Sequence, residues 1–206
     1  ILTNGETWAA VRFPSGLFPI VYHTAQQWYR SSGEIHDFRN IPTVTLYPAT
    51  VPLRDYQFSA ISKAMSRSNV LGWWPRAVLQ VATGGGKTEM AVAMYQMHPV
   101  PSMFLVHRKD LLYQAKERFE KYGIQVGIIG DGKYDPFPPG MTIATMQSLT
   151  RGASRPHGLK RTSLFSLVRD TQQVFFDEAH LLASNLDKGN TFTSIASAFE
   201  NAYARW

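Results

Sequence analysis

Leu79-Gln80-Val81-Ala82-Thr83-Gly84-Gly85-Gly86-Lys87-Thr88-Glu89-Met90-Ala91 is the stretch on which the reading of this 206-residue chain turns. Ala77 to Val81 is a short apolar run of strand character. Ala82 to Gly86 is a loop of small residues, and Thr88 to Met97 predicts a helix with Ala91, Met94 and Tyr95 on one face. Strand, glycine loop, Lys-Thr and helix form the pattern of a phosphate-binding loop. Glycines let consecutive N–H groups turn toward phosphate oxygens, and the helix N-terminus adds a favourable dipole. Thr83, Gly84, Gly85 and Gly86 would cradle the phosphates, Lys87 would neutralise them, and Thr88 could ligate Mg²⁺. The strict pattern wants glycine where Val81 stands. The bland alternative is a glycine-rich turn entering a helix.

A second stretch weighs against that alternative. Gln173 to Phe176 predicts a buried strand delivering Asp177-Glu178-Ala179-His180. A carboxylate at a strand end can hold Mg²⁺ opposite Lys87 and Thr88, and Glu178 could deprotonate the water that attacks the γ-phosphate. Between the two stretches, strands and helices alternate. Met103 to Val106 predicts a strand ending at His107-Arg108-Lys109, and Asp110 opens a helix with Leu111, Ala115 and Phe119 on its buried face. Gln125 to Ile129 and Met141 to Thr145 predict two more strands, with a Pro/Gly loop over 131–140 between them. Met146 begins another helix, and Phe192 to Arg205 predicts the last. Such alternation implies a mostly parallel α/β sheet flanked by helices.

Upstream, Leu53 to about Met65 predicts a helix with Arg54 and Gln57 on one face. A glutamine amide can both donate to and accept from an adenine edge, so this pair either reads a base or is an exposed surface pair. Basic and polar residues collect at predicted strand ends: His107 and Arg108 after one, Thr145 and Gln147 at another. Strand C-termini form the ligand edge of an α/β sheet, where such groups could meet nucleic-acid phosphates. Arg151, Arg155, Lys160, Arg161 and Arg169 follow, either as a solvated basic segment or as a backbone-contacting one.

The chain has 21 basic and 15 acidic residues, a formal charge of +6. Residues 1–50 are balanced, with Arg12, Arg30 and Arg39 against Glu6, Glu34 and Asp37, so residues 51–206 carry the whole excess. A basic nucleotide-binding segment points toward a polyanionic partner. There is no cysteine, which excludes disulfides and thiolate metal sites and fits a reducing compartment. No apolar run is long enough to span a bilayer, so no membrane partner is expected. The first residue is Ile1 rather than Met, and residues ahead of it are expected. Residues 1–50 read as a small α+β appendage, with Trp8 to Phe13 and Phe18 to Tyr22 as a strand pair, His23 to Ser31 as a helix and Val44 to Leu46 as a strand. That region is either an accessory domain or a DNA-recognition appendage. His23 and His36 are isolated histidines without a catalytic setting.

From about Leu53 to Trp206 the chain resembles the first RecA-like motor domain of superfamily 2 helicases and translocases, a P-loop NTPase fold. Leu-Arg-Asp-Tyr-Gln (53–57) is similar to the family's adenine-reading motif, which often has Pro where Asp55 stands. Ala-Thr-Gly-Gly-Gly-Lys-Thr (82–88) is similar to motif I, which in this family commonly lacks the first glycine. Val106 to Gln114 resembles motif Ia, Thr142 to Leu149 the next DNA-contacting motif, and Asp177 to His180 motif II in its DEAH spelling. The His-Arg-Lys form of motif Ia resembles the DNA-directed branch, with XPB-like helicases, phage UvsW-type helicases and motor subunits of restriction enzymes. The DEAH spelling also admits RNA helicases, as a less favoured reading.

The resemblance implies an intracellular, ATP- and Mg²⁺-dependent DNA helicase or translocase, working on single-stranded or branched DNA in a cytoplasm or a nucleus. It implies that His180 couples the nucleotide site to the DNA track. It also implies a second RecA-like domain that supplies arginine fingers, so that residues 51–206 alone bind ATP and turn it over poorly.

Overall fold

The computed structural model describes residues 2–3, 6–7, 23–24, 27, 46–65, 77–154, 159–179, 191–199 and 202–206. The chain divides into two compact units, Ile1–Asp37 and Phe38–Trp206, earlier than the expected division after Thr50. In the first unit β1 (Leu2–Thr3) pairs antiparallel with β2 (Glu6–Thr7), and residues 23, 24 and 27 are helical. The expected strands over 8–13 and 18–22 lie outside the described residues. Leu46 is described and is not in a strand.

In the second unit the order is α1 (Asp55–Met65), α2 (Lys87–Met97), β3 (Ser102–Val106), α3 (Lys109–Lys121), β4 (Val126–Gly130), β5 (Lys133–Asp135) and β6 (Met141–Thr145). There follow α4 (Met146–Ser154), α5 (Leu159–Asp170), β7 (Gln173–Phe176), α6 (Thr191–Ala198) and β8 (Ala204–Arg205). The six strands lie in the order β5-β4-β6-β3-β7-β8. All neighbours are parallel except β4 and β5. The expected loop over 131–140 therefore contains an antiparallel edge strand, turned at Asp131 and Gly132, which both have positive φ.

Both faces of the sheet are covered, and the central strand shows it in its alternation. Phe104 and Val106 belong to one apolar cluster with Ile61, Met90, Phe119 and Phe175. Met103 and Leu105 belong to the other, with Leu149, Val174, Ile195 and Phe199. Side chains of a strand alternate between faces, so a strand buried at every position, as β3 is, must have a layer on each side. On the first face Phe119 meets Phe104 edge-on at 5.7 Å and Tyr95 at 6.4 Å.

Three sequence expectations fail here. Residues 77–81 form no strand: Ala77 donates one long hydrogen bond, 3.4 Å, to Arg205 O, and Val78 is 80% exposed. Their neighbour β8 is only two residues long and offers little ladder to pair with. The expected final helix stops at Ala198. Ala204 N–H instead donates to Gln172 O and Trp206 N–H to Val174 O, which extends the sheet. On α3 the residue sealed in the core is Leu112, fully buried, while Leu111 is half-buried.

Candidate nucleotide and nucleic-acid site

Because β3, β6 and β7 are parallel, their C-terminal ends face the same edge of the sheet. Asp177 leaves β7 there, and its N–H donates to Leu105 O at 2.9 Å, fixing where its carboxylate begins. Glu178 follows with φ 58°, a left-handed conformation rare for a side chain of this size. Across from them α2 begins at Lys87, capped by Gly86 in a left-handed conformation with no side-chain cap. The first N–H groups of a helix have no partner within it, so those at the start of α2 are open to a ligand, while Gly85 N–H in the loop donates to Ala82 O at 2.9 Å. Lys87 Nζ reaches Glu178 Oε1 at 3.4 Å across 91 residues of sequence.

The loop tolerates nothing larger than glycine at two positions. A Cβ on Gly85 would lie 2.9 Å from Ala82 O. A Cβ on Gly86 would collide with Gln57 Nε2, and φ there is +80°. Gln57 is buried, donates to Gly85 O at 2.9 Å and accepts from Arg54 N–H at 2.8 Å. Tyr56 hydroxyl donates to the same Gly85 carbonyl at 2.8 Å. Helix α1 therefore latches the glycine loop through two side chains, of which Tyr56 had no sequence signal beyond its place beside Gln57.

These residues enclose a polar pocket of about 450 Å³ lined by Arg54, Gln57, Thr83 to Glu89, Arg118, Asp177 and Glu178. A larger cleft of about 540 Å³ shares Lys87, Asp177 and Glu178 with it, but its other walls are largely apolar, with Val78, Phe175 and Trp206 among them. Phosphates need N–H groups and cations, so the polar pocket is the candidate anion site.

Asp177 is held above the usual carboxylate range by burial and by the neighbouring charge of Glu178, which outweigh the lowering effects of Lys87 and His107. A cation beside it would relieve that penalty. Among the described residues no group of three or more His, Cys, Asp or Glu could hold a metal. One carboxylate and one hydroxyl, Asp177 and Thr88, suit Mg²⁺, which takes its other ligands from waters and substrate phosphates.

The expected nucleic-acid residues are only partly at the surface. Arg108 and Gln147 are exposed, and Gln147 Nε2 donates to His107 O at 2.7 Å, tying the ends of β6 and β3 together. His107 is half-buried and close enough to Asp177 to influence its proton, while its Nδ1 is buried without a hydrogen-bond partner. Thr145 departs from expectation: it is buried, and its hydroxyl donates to Ser148 Oγ in the first turn of α4. That commits its side chain to starting a helix. His180 and Arg155 lie outside the described residues; Arg151 is on α4, Lys160 and Arg161 are on α5, and Arg169 pairs with Asp170 at 2.9 Å.

Residues 50–204 match the family described as "Type III restriction enzyme, res subunit". The chain belongs to this superfamily 2 helicase family. Within that superfamily it is a first RecA-like motor domain. The curated "DNA 3'-5' translocase XPB2" of Sulfurisphaera tokodaii is 30% identical over 135 residues, which cover 65% of this chain and 26% of that protein. The chain thus spans about a quarter of the curated relative it matches.

Solved structures of helicase motors are similar in fold. The UvsW helicase of bacteriophage T4 superposes with TM-score 0.57 at 15% identity, over 93% of this chain and 69% of that one. The Sulfolobus solfataricus SWI2/SNF2 ATPase core in complex with dsDNA gives TM-score 0.55 at 16% identity, over 80% and 33%. A hypothetical ATP-dependent RNA helicase of Sulfolobus tokodaii gives 0.54 at 16%, over 89% and 49%. Among the described residues no helix of this superfamily 2 domain is long and apolar enough to cross a membrane.

Proposed function

We propose that the chain is the ATP-binding half of a DNA helicase or translocase motor, coupling hydrolysis to movement on or remodelling of DNA. The observation that carries this reading is the 3.4 Å approach of Lys87 to Glu178 at the mouth of the polar pocket. It joins the glycine loop to the Asp-Glu strand end, the two parts that phosphoryl transfer needs together. Thr83 to Gly86 and Lys87 hold the phosphates, and Arg54 and Gln57 lie at the adenine end. Thr88 and Asp177 would hold Mg²⁺, which would supply positive charge to the nucleotide's phosphates. Lys87 exchanges Glu178 for a phosphate oxygen as the nucleotide enters. Glu178 can then take the proton of the attacking water. His180, by its place in the Asp-Glu-Ala-His motif, couples the two sites.

DNA, rather than RNA, is the proposed track, supported by the name of the XPB2 relative and by the restriction-enzyme description of the matched family. Arg108 and Gln147, with the helix start at Lys109, form the backbone-contacting edge. Turnover is expected to need a second RecA-like domain that completes the site, in a soluble intracellular setting. The family description also favours a second reading, the same motor serving a restriction enzyme, which requires a nuclease domain in the same assembly.

ATP hydrolysis by the chain, measured without nucleic acid and with single-stranded DNA, branched DNA and RNA, tests the proposal. Lys87→Ala is the blank, and nucleotide binding is followed in parallel. Nucleotide binding that Lys87→Ala abolishes, with any turnover favouring DNA, supports it. Binding unaffected by Lys87→Ala removes it.

A further inference from the structure

The proposed roles leave two charged side chains of the polar pocket unused. Glu89 and Arg118 both line it, and Arg118 Nη1 is 3.2 Å from Glu89 Oε1. Glu89 stands in the first turn of α2, two residues after Lys87. At 3.6 residues per turn those two side chains point about 200° apart around the helix. Lys87 turns toward Asp177 and Glu178, so Glu89 turns toward the opposite side of the pocket. The Gly86 position agrees with that direction: a Cβ there would meet both Gln57 Nε2 and, at 3.4 Å, Glu89 Oε2. The Glu89 carboxylate thus lies on the Gln57 side of the loop, across the start of α2 from Lys87 and Glu178. It is only 25% exposed, and Arg118 engages one of its oxygens.

We infer that Glu89, charge-balanced by Arg118, is the sugar-recognising residue of the site and selects nucleotides that carry the ribose hydroxyls over those that lack both. The inference rests on the nucleotide reading of the pocket. An ionised carboxylate accepts hydrogen bonds and donates none, so what it can recognise is a hydroxyl donor. With phosphates at Lys87 and the base at Gln57, the only hydroxyls of a nucleotide are the 2′ and 3′ groups of the ribose, which lie between. An unbalanced carboxylate there would repel the phosphates. Arg118 cancels that repulsion from the neighbouring helix α3 and leaves the second carboxylate oxygen available.

Equilibrium binding of ADP and 2′,3′-dideoxy-ADP with Mg²⁺ tests this on the whole chain, in wild type, Glu89→Ala, Arg118→Gln and Lys87→Ala. Wild type is expected to favour ADP by about tenfold, the size of a hydrogen bond to a charged group. Glu89→Ala is expected to bring that ratio close to one while ADP still binds. Arg118→Gln is expected to weaken both ligands several-fold and keep the ratio. A wild-type ratio near one, or a ratio that survives Glu89→Ala, overturns the inference and leaves the nucleotide site standing. Absence of any nucleotide binding, or binding indifferent to Lys87→Ala, overturns the site and the inference with it.

Discussion

Glu178 adopts a backbone angle that costs a non-glycine residue about 1–2 kcal/mol. Such strain persists only where surrounding structure imposes it, and it collects at functional positions. Here it turns the carboxylate back to Lys87. Glu178→Gln keeps the shape and removes the proposed base, so hydrolysis by the proposed motor is expected to fall on the order of 10²–10⁴-fold. Nucleotide affinity is expected to stay or rise, because Lys87 no longer has an ionised partner to leave. Loss of both together would assign Glu178 to binding instead.

Asp177 gives a second prediction at this scale. Burial and Glu178 hold its carboxyl above the usual range, so the folded chain keeps that proton to a higher pH than the unfolded chain does. Ionisation therefore costs the free protein stability at neutral pH, and the cost is relieved as pH falls through the raised value. Asp177→Asn removes it. The variant without nucleotide is expected to melt above wild type at pH 7, by roughly 2–4 °C per kcal/mol relieved. The gap is expected to hold down to the folded-state value and to close as the pH falls below it toward the ordinary carboxylate range. A gap that widens on acidification contradicts the assigned cause.

At the scale of elements, α1 is a latch on the glycine loop as well as a helix packed on the core. Tyr56 and Gln57 donate to one carbonyl, that of Gly85. Tyr56→Phe deletes one of the two bonds. A net hydrogen bond is worth about 0.5–1.5 kcal/mol, so ADP affinity is expected to drop roughly two- to tenfold with the fold intact by circular dichroism. The sequence made α1, α2 and the alternating strands legible because their apolar spacing is local, one buried face for α1 and burial on both sides for the central strands. It made Lys87, Asp177 and Glu178 legible because phosphate chemistry needs those types at strand and helix ends. It could not show that 77–81 pair too weakly for a strand, or that 204–205 join the sheet, because both depend on an edge partner far away in the chain. Thr145 misled for a related reason: a hydroxyl at a strand end suits a phosphate and a helix start equally, and only Ser148 decides between them.

For the molecule as a whole, the formal +6 and the strand-end cluster make one electrostatic argument. Charge without placement yields only nonspecific attraction to polyanions. The parallel sheet supplies the placement, since it brings the ends of β3 and β6 to the same edge as Asp177. Gln147 bonded to His107 O then makes that edge one surface rather than two loops. If the edge follows a nucleic-acid backbone, binding must weaken linearly in log–log terms with salt, by counterion release. Arg108→Ala leaves one phosphate without its cation, so it is expected to reduce that slope by roughly 0.7–0.9 and to weaken single-stranded DNA of any sequence alike. Binding isotherms at several salt concentrations read both. An unchanged slope would move the track off this edge. A change dependent on sequence would make Arg108 a reader of bases, at odds with an edge that meets only backbone.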